Sequence, residues 1–119
     1  LLALHEAGAG ILLGSDAPQV FNVPGFSMHR ELAEYVRAGL SPYEALRTGT
    51  VEVARFFGVA DERGTVAEGM VADLVLLRGN PLEDVARLRG PAGVMLRGRW
   101  LSGEELETRL EAIAAAHGN

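Results

Sequence analysis

Residues 10–18 read GILLGSDAP, and this stretch decides the fold. Its run from Ile11 to Leu13 is wholly apolar and follows a short helical segment and two glycines. Such a run is typical of a strand that is buried on both faces of a parallel sheet, so we predict a strand over residues 10–16. Asp16 ends that strand, and barrels and open parallel sheets place their active sites at the carboxyl ends of strands.

Asp16 has two interpretations. A carboxylate at the end of a buried strand can bind a metal or act as a general base. The alternative is structural, because Gly-Ser-Asp-Ala-Pro is also suited to a turn that an Asp side chain caps. A catalytic zinc site takes about three protein ligands. The three His residues have no short ligand spacing that would supply them. The residues alone therefore leave both roles of Asp16 open.

The chain after Asp16 is predicted to form a loop that leads into a helix. Residues 19–27 show no hydrophobic period, whereas residues 28–38 repeat with the period of an amphipathic helix. The apolar stripe holds Met28, Leu32, Tyr35 and Val36, and the polar face holds Arg30, Glu31, Glu34 and Arg37. His29 lies in the first turn. It is a candidate substrate contact if the helix packs outside the strand, and otherwise an exposed side chain.

The remaining sequence divides near residue 59. Before that point, Ser41 and Glu44 have the spacing of a capping box, and Thr50 is a candidate cap for one more short helix. After it, the pattern predicts strands over 72–77, 92–96 and 99–101 and a terminal helix that starts at Ser102. The sequence thus predicts an α/β fold that joins a helical half to a small β unit.

Composition excludes several classes of protein. The 119 residues carry a net charge of −5 and no Lys, so the clustered cations that nucleic-acid binding needs are missing. The absence of Cys excludes disulfides and a Cys nucleophile, and it fits a cytoplasmic protein as well as a periplasmic or secreted one. Apolar runs are far shorter than the ~20 residues of a membrane span. We expect a cytoplasmic protein that binds neither nucleic acid nor membrane.

An ordered series of motifs resembles the C-terminal third of the metal-dependent amidohydrolases, in the imidazolonepropionase-like and prolidase-like branch. The motifs are LHEAG (4–8), ILLGSDAP (11–18), HREL (29–32), AGLSPYEAL (38–46), TVEVARFFG (50–58), GTVAEGMVADLVLL (64–77) and GNPLEDV (79–85). The series covers nearly the whole chain. Its specificity lies in the order of the motifs, because no single one of them is decisive.

The resemblance implies a fold and a chemistry. It implies the last strand of a TIM barrel with its helices over residues 1–58, strands of a composite β-sandwich domain over 59–101, and a C-terminal helix over 102–119. In such enzymes an Asp that ends the last barrel strand binds one metal, usually zinc, and accepts a proton from the attacking water. That Asp matches Asp16, and the loop that rims the pocket matches the segment that contains Pro18, Val20, Phe21 and His29.

The chain also departs from the family pattern. It has no H-x-H pair and no bridging Lys, so the other ligands of one or two metal ions must lie outside it. It begins LLALHEAG, without Met or a cap residue. We therefore expect a segment of a longer hydrolase of C–N bonds in an amide, cyclic amide or dipeptide, inactive by itself. We expect it to associate with the rest of the barrel or to form homo-oligomers. The alternative is a non-catalytic fold or assembly element in which Asp16 only forms a turn.

Overall fold

Five α-helices and a three-stranded sheet make up the protein in the computed structural model, which describes residues 1–118. The helices are α1 (Leu2–Glu6), α2 (Ser27–Arg37), α3 (Pro42–Thr48), α4 (Val51–Phe56) and α5 (Gly103–His117). The strands are β1 (Leu74–Leu76), β2 (Gly93–Leu96) and β3 (Arg99–Ser102), and a 3-10 helix spans Val85–Leu88. The predicted α/β class is confirmed. The last residue of the predicted terminal helix segment, Asn119, lies outside the described residues.

The start of α3 is fixed by the capping box that the sequence predicts. The Ser41 hydroxyl accepts a hydrogen bond from the Glu44 backbone N–H, and the Glu44 carboxylate accepts one from the Ser41 N–H at 2.8 Å. The hydrogen bonds from Ser41, together with one from His5, lower the pKa of Glu44 to about 2. The predicted cap at Thr50 is wrong, because its hydroxyl donates backwards to the Leu46 carbonyl and leaves α4 without a side-chain cap.

We expect Ser41→Ala to destabilise the protein by about 1 kcal/mol, the usual cost of losing an N-cap side chain. The measurement is the free energy of unfolding in urea. Thr50→Ala is the matched control, because Thr50 occupies an N-cap position without capping the helix. An equal loss of stability in both variants would contradict the role assigned to Ser41.

The predicted strand at residues 10–16 is not a strand in the structure. The segment is extended, but among residues 1–118 no other strand lies beside it to form a hydrogen-bonded ladder. It is held instead by α3, because the Leu13 N–H donates to the Thr48 carbonyl at 3.0 Å. The Leu13 side chain also packs on Gly49, where a Cβ would lie 2.8 Å from Leu13 Cδ2.

The β unit is an antiparallel meander with strand order β1-β2-β3. Arg97 and Gly98 form the two-residue turn between β2 and β3, and both have positive φ, as a type I′ hairpin turn requires. Asp73, just before β1, accepts a hydrogen bond from the Arg97 N–H at 2.7 Å. The ring of Trp100 lies directly over Gly93, where a Cβ would come within 2.1 Å of the ring atom Cζ2.

The buried core is small and centres on α2. Its hydrophobic members are Leu32, Leu40, Ala45, Ala54 and Val85. Helix α2 packs against α3 on one side and against the 3-10 helix on the other, so Leu32, with 2% of its surface exposed, belongs to the element that joins the two halves. None of the helices in residues 1–118 is both long and apolar enough to cross a membrane.

Candidate active site

Asp16 lies at the end of the extended segment, two residues before the bend at Pro18 that starts the loop. Its backbone has φ +54°, a left-handed conformation that Asp tolerates better than most residues. The carboxylate is exposed, and its Oδ2 accepts a hydrogen bond from the Gln19 side-chain amide. Asp16 is thus presented to solvent with one carboxylate oxygen engaged by its own loop.

The loop after Asp16 folds back on itself. The backbones of Gln19 and Asn22 pair across a turn, with N···O distances of 3.3 and 2.9 Å. The Asn22 side-chain amide donates to the Ser15 carbonyl at 3.1 Å, which ties the loop to the residue before Asp16. Val20 and Phe21 form the tip and are 83% and 92% exposed. Three predicted substrate contacts, Pro18, Val20 and Phe21, therefore share one exposed loop with Asp16.

The structure places His29 in the first turn of α2, which follows that loop. Its side chain lines a cavity of about 290 Å³ together with residues of α5 and the 90–91 turn, and neither Asp16 nor the loop tip lines this cavity. The ring is half-buried, and its Nδ1 is buried without a hydrogen-bond partner in residues 1–118. Burial, followed by the charge of Arg89, lowers the pKa of His29, so the ring favours its neutral form. Its role as a substrate contact stays a prediction.

Two α2 residues, Glu31 and Tyr35, hold the backbone that leads to Asp16. Glu31 Oε1 accepts a hydrogen bond from the Gly14 N–H at 3.1 Å and lies 2.5 Å from the Tyr35 hydroxyl. That hydroxyl also lies 3.1 Å from the Leu12 carbonyl oxygen, as a donor would. Burial, together with the hydrogen bond to Glu31 and its negative charge, raises the pKa of Tyr35 above its usual range.

Sequence reasoning missed this pair. The prediction that Glu31 lies on the polar face of the helix is wrong, because the side chain is half-buried and its Oε2 is buried with no partner among the described residues. The signal in the sequence was the i,i+4 spacing of Glu31 and Tyr35, which places both side chains on one face of a helix. The hydroxyls of Ser27 and Ser15, 2.9 Å apart, add a further link between α2 and the extended segment.

His5 contacts Glu44, which lies 39 residues further along the chain. Its Nε2 lies 3.1 Å from Glu44 Oε1, so the ring links α1 to the capped start of α3. Both residues line a cavity of about 400 Å³. Since Glu44 already belongs to the capping box, this contact supports the packing of the two helices.

Residues 1–118 contain no group of three or more His, Cys, Asp or Glu that could hold a metal ion. Asp16 can supply one ligand to a metal. Its carboxylate is exposed, and the bond to Gln19 uses only one of its two oxygens, Oδ2. The arrangement can therefore offer one oxygen ligand or proton acceptor on a backbone that α2 and α3 hold in place.

Known proteins resemble the chain over most of its length. An imidazolonepropionase of Deinococcus deserti is 38% identical over 101 residues, which is 84% of this chain and 24% of that protein. The structure of a bottromycin amidohydrolase matches with TM-score 0.77 and 35% identity, over 93% of this chain and 25% of the other. A Xaa-Pro dipeptidase with methionine bound in its active site matches with TM-score 0.73 and 28% identity, over 84% and 24%.

The chain spans about a quarter of the length of these relatives. The model of the amidohydrolase family matches residues 1–101, which include the segment that ends in Asp16 and all but the last residue of the three-stranded sheet. The resemblance of the ordered motifs is thus confirmed, and the chain belongs to the amidohydrolase family.

Proposed function

We propose that this chain is the C-terminal part of a hydrolase that cleaves a C–N bond in an amide, cyclic amide or dipeptide. The observation that carries the proposal is the family match over a segment that presents Asp16, an exposed carboxylate, on a backbone held by contacts with two helices. The names of the relatives, an imidazolonepropionase and a Xaa-Pro dipeptidase among them, support C–N bonds as the class of substrate.

In this proposal residues 1–58 complete a TIM barrel and residues 59–101 belong to a composite β-domain, followed by the helix of 102–119. In such a barrel the segment of residues 10–16 would acquire its ladder from neighbouring strands. The same extended segment would then pair with the rest of the barrel, which we propose as the partner of this chain, with homo-oligomers as the other form of association.

Asp16 would serve as one ligand of a divalent metal, which we propose to be zinc, as one or two ions. Such a metal, when bound, polarises the scissile carbonyl and lowers the pKa of water toward neutrality. The Asp16 carboxylate takes up a proton as the carbonyl is attacked and delivers it to the leaving nitrogen. Pro18, Val20, Phe21 and His29 are the proposed substrate contacts. The absence of Cys is compatible with the cytoplasmic location that we propose.

The test uses the full-length protein that carries this segment. N-acyl amino acids, Xaa-Pro dipeptides and cyclic amides are supplied in parallel, and the release of amine is followed by mass spectrometry. We expect hydrolysis of at least one class, its loss after treatment with a zinc chelator, and its return when zinc is added. Hydrolysis that persists in protein shown to be free of metal would contradict the proposal, as would inactivity toward all three classes.

The bond between Asp16 and Gln19 is also what the turn-forming role of Asp16 predicts. This favours, as the second candidate, a non-catalytic element in which the carboxylate only stabilises the loop. The two candidates predict different rates of hydrolysis for Asp16→Asn in the full-length protein. This change removes the charge and keeps the shape of the side chain, and only the catalytic role requires a basic carboxylate.

A further inference from the structure

The backbone before Asp16 lacks the support that an extended segment usually has. In residues 1–118 it has no strand beside it; the Thr48 carbonyl of α3 accepts from the Leu13 N–H, and side chains of α2 bond two more of its backbone groups. Glu31 accepts from the Gly14 N–H at 3.1 Å, and the Tyr35 hydroxyl reaches the Leu12 carbonyl oxygen at 3.1 Å. These two contacts hold the chain at Gly14 and Leu12, which lie two and four residues before Asp16.

Glu31 and Tyr35 also act on each other. Their oxygens are 2.5 Å apart, and i,i+4 spacing on α2 keeps both on the face that meets the extended segment. The hydroxyl hydrogen can point to only one of its two neighbouring oxygens at a time, so the two contacts form one network rather than two separate bonds.

The position of Glu31 in the fold costs free energy of folding. Its Oε2 is buried and has no partner among the described residues. A buried acceptor without a partner costs free energy, and such groups in native structures need an explanation other than packing. A function for Glu31 in holding the Gly14 backbone would explain why a carboxylate is buried here despite this cost.

We propose that Glu31 and Tyr35 are positioning residues, which set the place of the Asp16 carboxylate by fixing residues 12–14. The proposal rests on the proposed function, because it assigns a purpose to the position of Asp16. Active-site groups must be held within about 0.5 Å of their productive place. A misplacement of about 1 Å can reduce the rate about 100-fold.

The experiment compares Glu31→Ala, Glu31→Gln and Tyr35→Phe in the full-length protein. We expect Glu31→Ala to lower kcat by about tenfold to 100-fold, because the proton acceptor moves from its productive place. Glu31→Gln keeps an oxygen that can accept from Gly14, so it should recover most of the rate. Tyr35→Phe should lower kcat in the same direction, and its effect should not add to that of Glu31→Ala.

A second readout does not depend on activity. In metal-free protein, hydrogen exchange at the amides of residues 12–16 should be faster in Glu31→Ala than in the unmodified chain. Glu34→Ala is the matched control, because Glu34 lies on the same helix and pairs with Arg37 at the surface. It should leave both the exchange and kcat unchanged.

The outcomes separate the two proposals. If Asp16→Asn keeps the full rate, the catalytic role proposed for Asp16 fails and the positioning role fails with it. If Asp16→Asn loses the rate while Glu31→Ala behaves as Glu34→Ala does, only the positioning role is wrong. Should Glu31→Ala fail to fold, Glu31→Gln and Tyr35→Phe decide instead. Normal kcat and normal exchange in Tyr35→Phe would then overturn the proposal.

Discussion

Asp16→Asn in the full-length protein is expected to lower kcat about 10²- to 10⁴-fold, the range that a positioned acid–base group contributes. The amide has almost the shape of the carboxylate and can still accept from Gln19, so the loop should keep its fold. It cannot take up the proton that the leaving nitrogen needs. The measurement is kcat on whichever amide class the protein hydrolyses, together with the bound metal content.

Asp61→Asn is the matched control, because Asp61 is an exposed carboxylate in a turn of the β half. It should keep the unmodified rate. A full rate in Asp16→Asn, with metal still bound, would show that Asp16 serves only as a turn former. Loss of the rate together with loss of the fold, seen in the circular dichroism spectrum, would instead assign Asp16 a structural role.

Leu32→Ala is expected to destabilise the protein by about 2–5 kcal/mol, as large-to-small changes in a core do. Leu32 is 2% exposed and belongs to the helix that joins α3 to the 3-10 helix, so the cavity would open where the two halves meet. That is a large share of the ~5–15 kcal/mol by which a domain is stable. The measurement is the midpoint and slope of unfolding in urea.

Leu110→Ala removes the same atoms from a side chain that is 48% exposed on α5, and it should cost much less. Equal losses of stability in the two variants would mean that Leu32 on α2 contributes no more to the core than the half-exposed Leu110 does. Because α2 also bears Glu31 and Tyr35, Leu32→Ala should further loosen the segment before Asp16.

The elements predicted well were those with local causes. The capping box of Ser41 and Glu44 is fixed by side chains three residues apart, so the sequence was sufficient to place α3. The two positive φ values at Arg97 and Gly98 likewise belong to a local turn. The strand at 10–16 required neighbours that no local pattern can supply. Thr50 does not cap α4, because its hydroxyl is directed back to the Leu46 carbonyl and donates a hydrogen bond to it.

The candidate site shows the same limit. The position of Asp16 at the end of an apolar run was visible in the sequence, and the family match supports the resemblance drawn from it. Glu31 was assigned to the polar face by the helical period of residues 28–38, whereas its partner Gly14 lies 17 residues away in the chain. A contact at that separation depends on how α2 packs, so periodicity within the helix could not reveal it.

The contact of Trp100 with Gly93 gives the molecule a built-in optical probe. The chain has one Trp, and its indole lies against the backbone of the neighbouring strand, partly open to solvent. Its fluorescence therefore reports on the β2–β3 pair, while the far-ultraviolet signal comes mainly from the helices. Following both signals through one unfolding experiment would reveal whether the sheet and the helical half open together or in turn.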